Sequence, residues 1–367
     1  MTTFGLVVLV MAAVVAWSVT AVIVRWSHWH HHLTADHDLN GVQKFHAQPV
    51  PRIGGVSILL ALLLAWSASW LWEQQSPDAV FLLLAGLPAF ATGLAEDLTK
   101  RVGVLPRLLA TGISAAWGMG LVGSVLNRLG IPGVDDLLSN VPFLAWVLTM
   151  VAVAGVANAI NIIDGFNGLA SGSSILMFSA FGLVAWQLED ALLLQVCLTM
   201  IGALLGFMAW NWPGGKIFLG DGGAYLVGFV LAEVAVLLVV RHPQVSPWFC
   251  LLVCSYPVTE TLFSICRRKF SRGASPGLPD RMHLHSLVYL RLVRCSSNPC
   301  SRTVARNSAT SPYLWVLTLI AVFPAVLWWQ YPAVMVVSCA LFAVVYIGFY
   351  RMIVTFSTPK WLIRRLN

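Results

Sequence analysis

From Gly222 to Val240 the chain reads GGAYLVGFVLAEVAVLLVV, a run of nineteen residues in which Glu233 is the one charged side chain. As a helix this run is long enough to cross the hydrocarbon core of a bilayer. One such run could also be a buried helix of a soluble core, so its surroundings decide. Comparable runs recur at 3–24, 54–72, 79–95, 104–124, 142–160, 168–188, 191–211, 247–266, 312–329 and 332–350. Hydrophobic residues make up 58% of the 367 positions and charged ones 10%, more apolar surface than a soluble fold can hide. The expected fold is an all-α integral membrane protein, a polytopic bundle of about eleven transmembrane helices. The run at 3–24 lacks the basic start and small-residue cleavage site of a signal peptide and reads as a retained helix.

An odd number of crossings puts the termini on opposite sides. Lys and Arg gather in alternate loops and at the C-terminus, densely at Arg267, Arg268, Lys269, Arg272, Arg281, Arg291, Arg294, Arg302 and Arg306, whereas the opposite loops hold Arg128 and Arg241. The positive-inside rule then predicts a periplasmic N-terminus and a cytoplasmic C-terminus. The net charge of +7 reflects this bias and suits anionic headgroups or phosphates. No folded basic domain is present to bind nucleic acid. Seven cysteines give neither a disulfide framework nor paired zinc spacing. The whole of 1–367 reads as one membrane domain without internal repeats, with cytoplasmic loops near 25–53, 96–103, 158–168, 212–223 and 267–311. Within the last of these, a helix is expected from His285 to Arg294 and a flexible loop from Cys295 to Thr310.

Five polar islands fall in those loops. Asp221, in Gly220-Asp221-Gly222-Gly223, is read in two ways. Glycines let a ligand approach the backbone and a lone carboxylate can hold Mg²⁺, yet Asp before an apolar run is also a common helix cap. Glu96-Asp97 with Lys100 places two acids and a base on one helical turn, which suits a metal-assisted site or a general base; a solvated, salt-bridged helix end has the same pattern. Asn158, Asn161 and Asp164 recur every third residue and share one helix face, with Asn167 three further on. Polar groups on an apolar span mark either a substrate site or hydrogen-bonded glue between helices.

His283 and His285, beside Asp280 and Arg281, lack the ligands that would complete a zinc site and read as phosphate contacts. Lys44, His46 and Arg52, ahead of Gly54-Gly55, would complete a basic wall for a pyrophosphate. His28, His30, His31 and His32 lie among Trp26 and Trp29, residues typical of a membrane interface. Glu233 and Glu260, inside spans, are read as structural, with Glu260 placed to pair with Arg267 and Arg268.

Taken in order from Lys44 to His285, about two thirds of the chain, these islands resemble the polyprenyl-phosphate N-acetylhexosamine-1-phosphate transferase family. That family includes initiators of O-antigen and enterobacterial common antigen and the phospho-MurNAc-pentapeptide translocase. Pro51-Arg52-Ile53-Gly54-Gly55 and His283-Leu284-His285-Ser286 are similar to the O-antigen and common-antigen branch. Three departures stand out: Glu96 replaces the first Asp of a usual Asp-Asp pair, Asn167 replaces a second Asp after Asp164, and Ser286 ends the histidine cluster.

The resemblance implies that undecaprenyl phosphate attacks the sugar-linked phosphorus of a UDP-N-acetyl amino sugar, releasing UMP, in a bacterial inner membrane with the site facing the cytoplasm. It implies Mg²⁺, with Mn²⁺ as an alternative, held by Asp221. It implies a catalytic set of Asp97, Asp164 and Glu96, with Asp97 deprotonating or orienting the lipid phosphate and Asp164 positioning the donor or acting as nucleophile. Lys44, His46, Arg52, Lys100, Asn158, Asn161, Asn167, His283 and His285 are then the substrate-binding set. Membrane lipids are the other partners, and homodimers occur in the family. Two rival readings are a lipid-linked sugar flippase and an inactive scaffold. A transporter would place its polar groups at mid-membrane on repeated halves.

Overall fold

The computed structural model describes residues 3–34, 49–73, 77–269, 282–295 and 303–366. Lys44, His46, Asp280 and Arg281 lie outside the described residues. In chain order the first helices are α1 (Thr3–Arg25), α2 (Ser27–Thr34), α3 (Gly54–Glu73), α4 (Asp78–Thr99), α5 (Val104–Val122), α6 (Val134–Asn140), α7 (Pro142–Ile163) and α8 (Leu169–Gln187). They are followed by α9 (Ala191–Asn211), α10 (Gly220–Arg241), α11 (Pro247–Val253), α12 (Ser255–Arg267) and α13 (Leu284–Arg291). A short strand β1 (Val293–Cys295), α14 (Thr303–Ser308), α15 (Ser311–Trp328), α16 (Pro332–Val354) and a second strand β2 (Arg364–Leu366) complete the chain.

Among the described residues nine helices are long and apolar enough to cross a membrane, or ten if α11 and α12, bent by 78° at Cys254, count as one broken span. The sequence expectation of about eleven also included α5, whose Arg107 and three glycines dilute its apolar character. The helix expected over His285–Arg294 is realised as α13 only as far as Arg291; Val293–Cys295 is instead the strand β1, paired with β2. The expected loop at 295–310 differs: Thr303–Ser308 is helical and leads directly into α15. The reason is its cargo of buried side chains, Asn307 and Ser308, which are bonded into the bundle.

The run that decided the fold is the axis of the bundle. α10 is buried almost all round, as a helix apolar on every face must be, with α3, α4, α7 and α8 packed against it. In lipid the hydrophobic effect does little to bring helices together, so close packing has to do it. Small residues permit that approach. Gly202 and Gly206 of α9 lie directly against the Leu9 and Ala13 carbonyls of α1. Outer faces remain apolar and exposed, for example at Val7, Val14, Val151, Val337 and Val344.

At the end of the bundle opposite the polar islands, Asp190 caps α9 by accepting Leu193 N–H at 3.1 Å. It also accepts Arg241 Nε at 2.6 Å and His242 Nε2 at 2.8 Å. Burial opposes the charge of Asp190, but these bonds outweigh it and hold the carboxyl below its ordinary range. A depressed pKa contributes stability above the unfolded-state value that is lost as pH falls through the folded one. Asp190→Asn keeps the cap and should cost about 1–2 kcal/mol at neutral pH, since Arg241 is partly solvent-screened. The difference in melting temperature from the parent should persist at pH 7 and close only below the ordinary carboxylate range.

Candidate active site

The site begins with backbone. Pro51 to Gly55 runs alongside Phe218 and Leu219 through three backbone bonds: Phe218 N–H donates to the Pro51 carbonyl at 2.8 Å, Gly54 N–H to the Phe218 carbonyl at 3.0 Å and Gly55 N–H to the Leu219 carbonyl at 2.9 Å. These bonds bring the first turns of α3 and α10 together. Gly220 is held at φ +76°, and a Cβ there would run into the Arg52 carbonyl and sit 2.6 Å from Asp97 Oδ2. A Cβ at Gly93, on α4, would lie 2.6 Å from Gly222 N. Gly93 and Gly220 are thus needed for contact between elements, with Gly220 also needed for its left-handed conformation.

Asp97, from the last turns of α4, reaches across this junction. Its Oδ1 accepts Asp221 N–H at 2.9 Å and its Oδ2 accepts Gly222 N–H at 2.9 Å. A carboxylate from another helix therefore caps α10 and complements its dipole. Asp221 does not cap. Its Oδ1 accepts Arg52 Nη2 at 3.1 Å, and its Oδ2 is paired with Arg107 Nη1 from α5. Arg52 also lies 3.6 Å from Asp97 Oδ1. Asp164, just past α7, shares this space, facing Arg52 and the Gly220 N–H. Burial pushes the Asp164 carboxyl up to about 7, against both of those partners. Three carboxylates and two guanidiniums thus meet at the N-terminus of the central helix.

Arg107 was not singled out from sequence, although an arginine within an apolar span is itself a signal. It is mostly buried, with its guanidinium 5.7 Å from the centroid of the Tyr225 ring. Tyr225 O–H in turn donates to Asn158 Oδ1 at 3.1 Å, so Asn158 ties α7 to α10. Asn161 is half-buried on the last turn of α7. Glu96 Oε2 accepts Val102 N–H at 2.6 Å and so fixes the link from α4 to α5. Lys100 ends α4 in a left-handed conformation, φ +55°, its side chain exposed.

Asn167 is buried and bonded on several sides. Its N–H donates to Asn307 Oδ1 at 2.8 Å, its Nδ2 to Ser308 Oγ at 3.0 Å, and its carbonyl accepts Ser311 Oγ at 2.6 Å. Ser308 spends its own hydrogen on the Pro213 carbonyl. A donor is therefore required at position 167, and an aspartate would put charge against a lone pair. The departure from the resembled pattern thus has a local reason. Asn307, Ser308 and Ser311 had no sequence signal, since isolated polar residues near a span end are common.

The histidines stand beside the carboxylates. His285 packs edge-on against Phe166, centroids 5.6 Å apart, and next to Gly165, whose Cβ position would be 3.2 Å from His285 Nε2. His283 stacks on His285, centroids 5.2 Å apart with 6° between planes. Glu260 was expected to pair with Arg267 and Arg268; instead it holds His283 Nδ1 at 2.9 Å. Arg267 donates to the Tyr350 hydroxyl of α16 and to Ser264 Oγ, one turn further along α12 than Glu260.

The chain is similar in sequence to known proteins. The sequence profile named glycosyl transferase family 4 matches residues 79–239. From α4 to α10 the chain resembles glycosyl transferase family 4. It is 29% identical over 265 residues, 68% of each chain, to the undecaprenyl-phosphate alpha-N-acetylglucosaminyl 1-phosphate transferase of Escherichia coli (strain K12). The protein of the same description from Yersinia pestis is 29% identical over 263 residues, again 68% of each chain. The phospho-N-acetylmuramoyl-pentapeptide-transferase of Enterococcus hirae is 29% identical over 225 residues, 58% of this chain and 66% of that protein. The family profile covers Asp97, Arg107, Asp164 and Asp221; Arg52, Glu260 and both histidines lie outside it.

Such a family implies a metal. Among the described residues no three His, Cys, Asp or Glu side chains form a self-sufficient metal centre. Mg²⁺ does not need one, since it is commonly held by one or two carboxylates completed by water and substrate phosphates. Asp221 offers carboxylate oxygens that already attract two cationic groups, and it lies beside Asp97 and Asp164. This all-oxygen donor set fits Mg²⁺, or Mn²⁺, and suits no softer metal.

Proposed function

We propose that this protein transfers an N-acetylhexosamine 1-phosphate from a UDP-sugar to undecaprenyl phosphate, releasing UMP and starting a cell-surface polysaccharide. The observation that carries this reading is the meeting of Asp97, Asp164 and Asp221 with Arg52 and Arg107 at one end of a membrane bundle. The names of its relatives point the same way. The proposed placement is an eleven-crossing chain in a bacterial inner membrane, N-terminus periplasmic, C-terminus cytoplasmic, with this end on the cytoplasmic side.

In the reaction an oxygen of the lipid phosphate bonds to the sugar-bearing phosphorus, and that phosphorus loses its bond to the oxygen of UMP. Such a transfer asks for positioning and charge neutralisation more than for covalent chemistry. Mg²⁺ on Asp221 would supply charge for the pyrophosphate. Arg52 and Arg107 would turn from Asp221 to phosphate oxygens, with Lys100, His283 and His285 as further contacts. Asp97, with both oxygens engaged by N–H groups, holds the frame. Asp164 is partly buried and better placed to take a proton from the lipid phosphate. Asn158 and Asn161 border the donor side. An apolar groove of about 290 Å³ between α7, α10 and α11, lined by residues such as Leu148, Val236 and Trp248, gives room for part of a prenyl chain.

The test is UMP release by the detergent-purified protein with undecaprenyl phosphate, Mg²⁺ and a panel of UDP-N-acetyl sugars. Release should require the lipid, should favour one sugar and should fall to background in EDTA. Release without lipid would defeat the assignment of the acceptor, and release undiminished by EDTA would defeat the metal.

A further inference from the structure

Glu260 sits on α12 and is 1% exposed. Three donors face it. Its Oε1 accepts His283 Nδ1–H at 2.9 Å and Leu284 N–H at 3.0 Å, and its Oε2 accepts Tyr346 O–H from α16 at 2.9 Å. Three donors, with no competing acceptor among the described residues, are the surroundings of an ionised carboxylate. Such a partner requires the hydrogen of His283 on Nδ1 and leaves Nε2 directed away from Glu260. The Leu284 bond fixes the backbone at the start of α13, so ring and main chain are held by the same oxygen. His283 then stacks flat on His285, which lies against Gly165, the neighbour of Asp164.

We propose that Glu260, backed by Tyr346, is a positioning residue that fixes His283, and through the stacked rings His285, for phosphate contact beside Asp164. This rests on the transferase reading above. Glu260 touches no reacting atom; its charge acts through the His283 ring, while its bond to Leu284 N–H holds the start of α13. A residue read from sequence as structural thereby becomes part of the machinery, and α16 gains a reason to carry a buried tyrosine. It also links the last helix of the chain to a site built mostly from α3 to α10.

Glu260→Gln is the informative variant. Its carbonyl can still accept both N–H groups and its amide can donate to a rotated Tyr346, so packing survives while the charge is lost. Transfer by the full-length protein should fall about 10- to 100-fold, the scale of removing a carboxylate behind a functional histidine. The double variant E260Q/H283N should be within about twofold of H283N alone, because Glu260 has nothing left to position. A merely structural Glu260 would give losses that multiply, and that result overturns the proposal.

A second readout needs no substrate. Labelling by diethyl pyrocarbonate, mapped by peptide mass spectrometry, should be faster at His283 in Glu260→Ala and unchanged at His242. Unchanged labelling at His283 overturns the positioning role. A parent protein that releases no UMP with any sugar would defeat the transferase reading, and the labelling would still decide whether Glu260 holds His283.

Discussion

Asp97→Asn should lower kcat/KM for sugar-phosphate transfer by about 100-fold or more, the scale of displacing reacting groups by about an ångström. The parent carboxylate accepts two N–H groups at the start of α10, one with each oxygen. An asparagine can accept only one of them and sets its own N–H₂ against the other. Each charge-assisted bond contributes about 1.5–3 kcal/mol, and the dipole of α10 loses its counter-charge as well. The first turn of α10 must shift to relieve the clash, and Asp221 moves with it. Stability should fall by about 2–4 kcal/mol, with the variant still folded in the cold. UMP release and detergent melting curves, measured together, check both halves. Unaltered transfer would mean that the Asp97 cap does not set the geometry of the site.

Gly220→Ala should be more damaging to the fold. The left-handed conformation at φ +76° costs an alanine about 1–2 kcal/mol by itself. The new methyl also meets the Arg52 carbonyl and Asp97 Oδ2, groups held by the backbone pairing of α3 with α10. Backbone cannot swing aside as a flexible side chain can. The total should exceed about 4 kcal/mol, enough to remove most folded protein from the membrane. Gly120→Ala is the matched control: its methyl would meet nothing within 4 Å, and alanine favours the helix. Normal recovery of Gly120→Ala with loss of Gly220→Ala, by size-exclusion of detergent extracts, is the expected pair. Equal recovery of both would show that the two segments are not in backbone contact.

Much of this could be read from the chain alone, because length and apolar periodicity are local properties. The helices of α1, α3, α7, α9, α10 and α16 follow from their runs. What depends on contact between distant residues could not. Asp before an apolar run is the signature of a cap and of a ligand alike. Only the arrival of Asp97 from α4 shows that the cap comes from elsewhere and that Asp221 is turned to Arg52 and Arg107. Glu260 has basic neighbours in sequence, Arg267 and Arg268, but its partners are 23 and 86 residues away. Asn167 reads as a lost carboxylate until Ser308, 141 residues on, is seen to need a donor. Arg107 lies in a run that reads simply as a span, and its partners on α10 show why a buried arginine is there.

The central claim is that phosphate travels with the sugar, and a donor labelled at the phosphorus nearer the sugar tests it directly. Purified protein is incubated with undecaprenyl phosphate, Mg²⁺ and UDP-N-acetyl sugars carrying ³²P at that β position. Label should pass into the organic-extractable lipid in amounts equal to the UMP released, for at least one sugar. Label left behind on UDP while the sugar alone moves to lipid would contradict sugar-1-phosphate transfer.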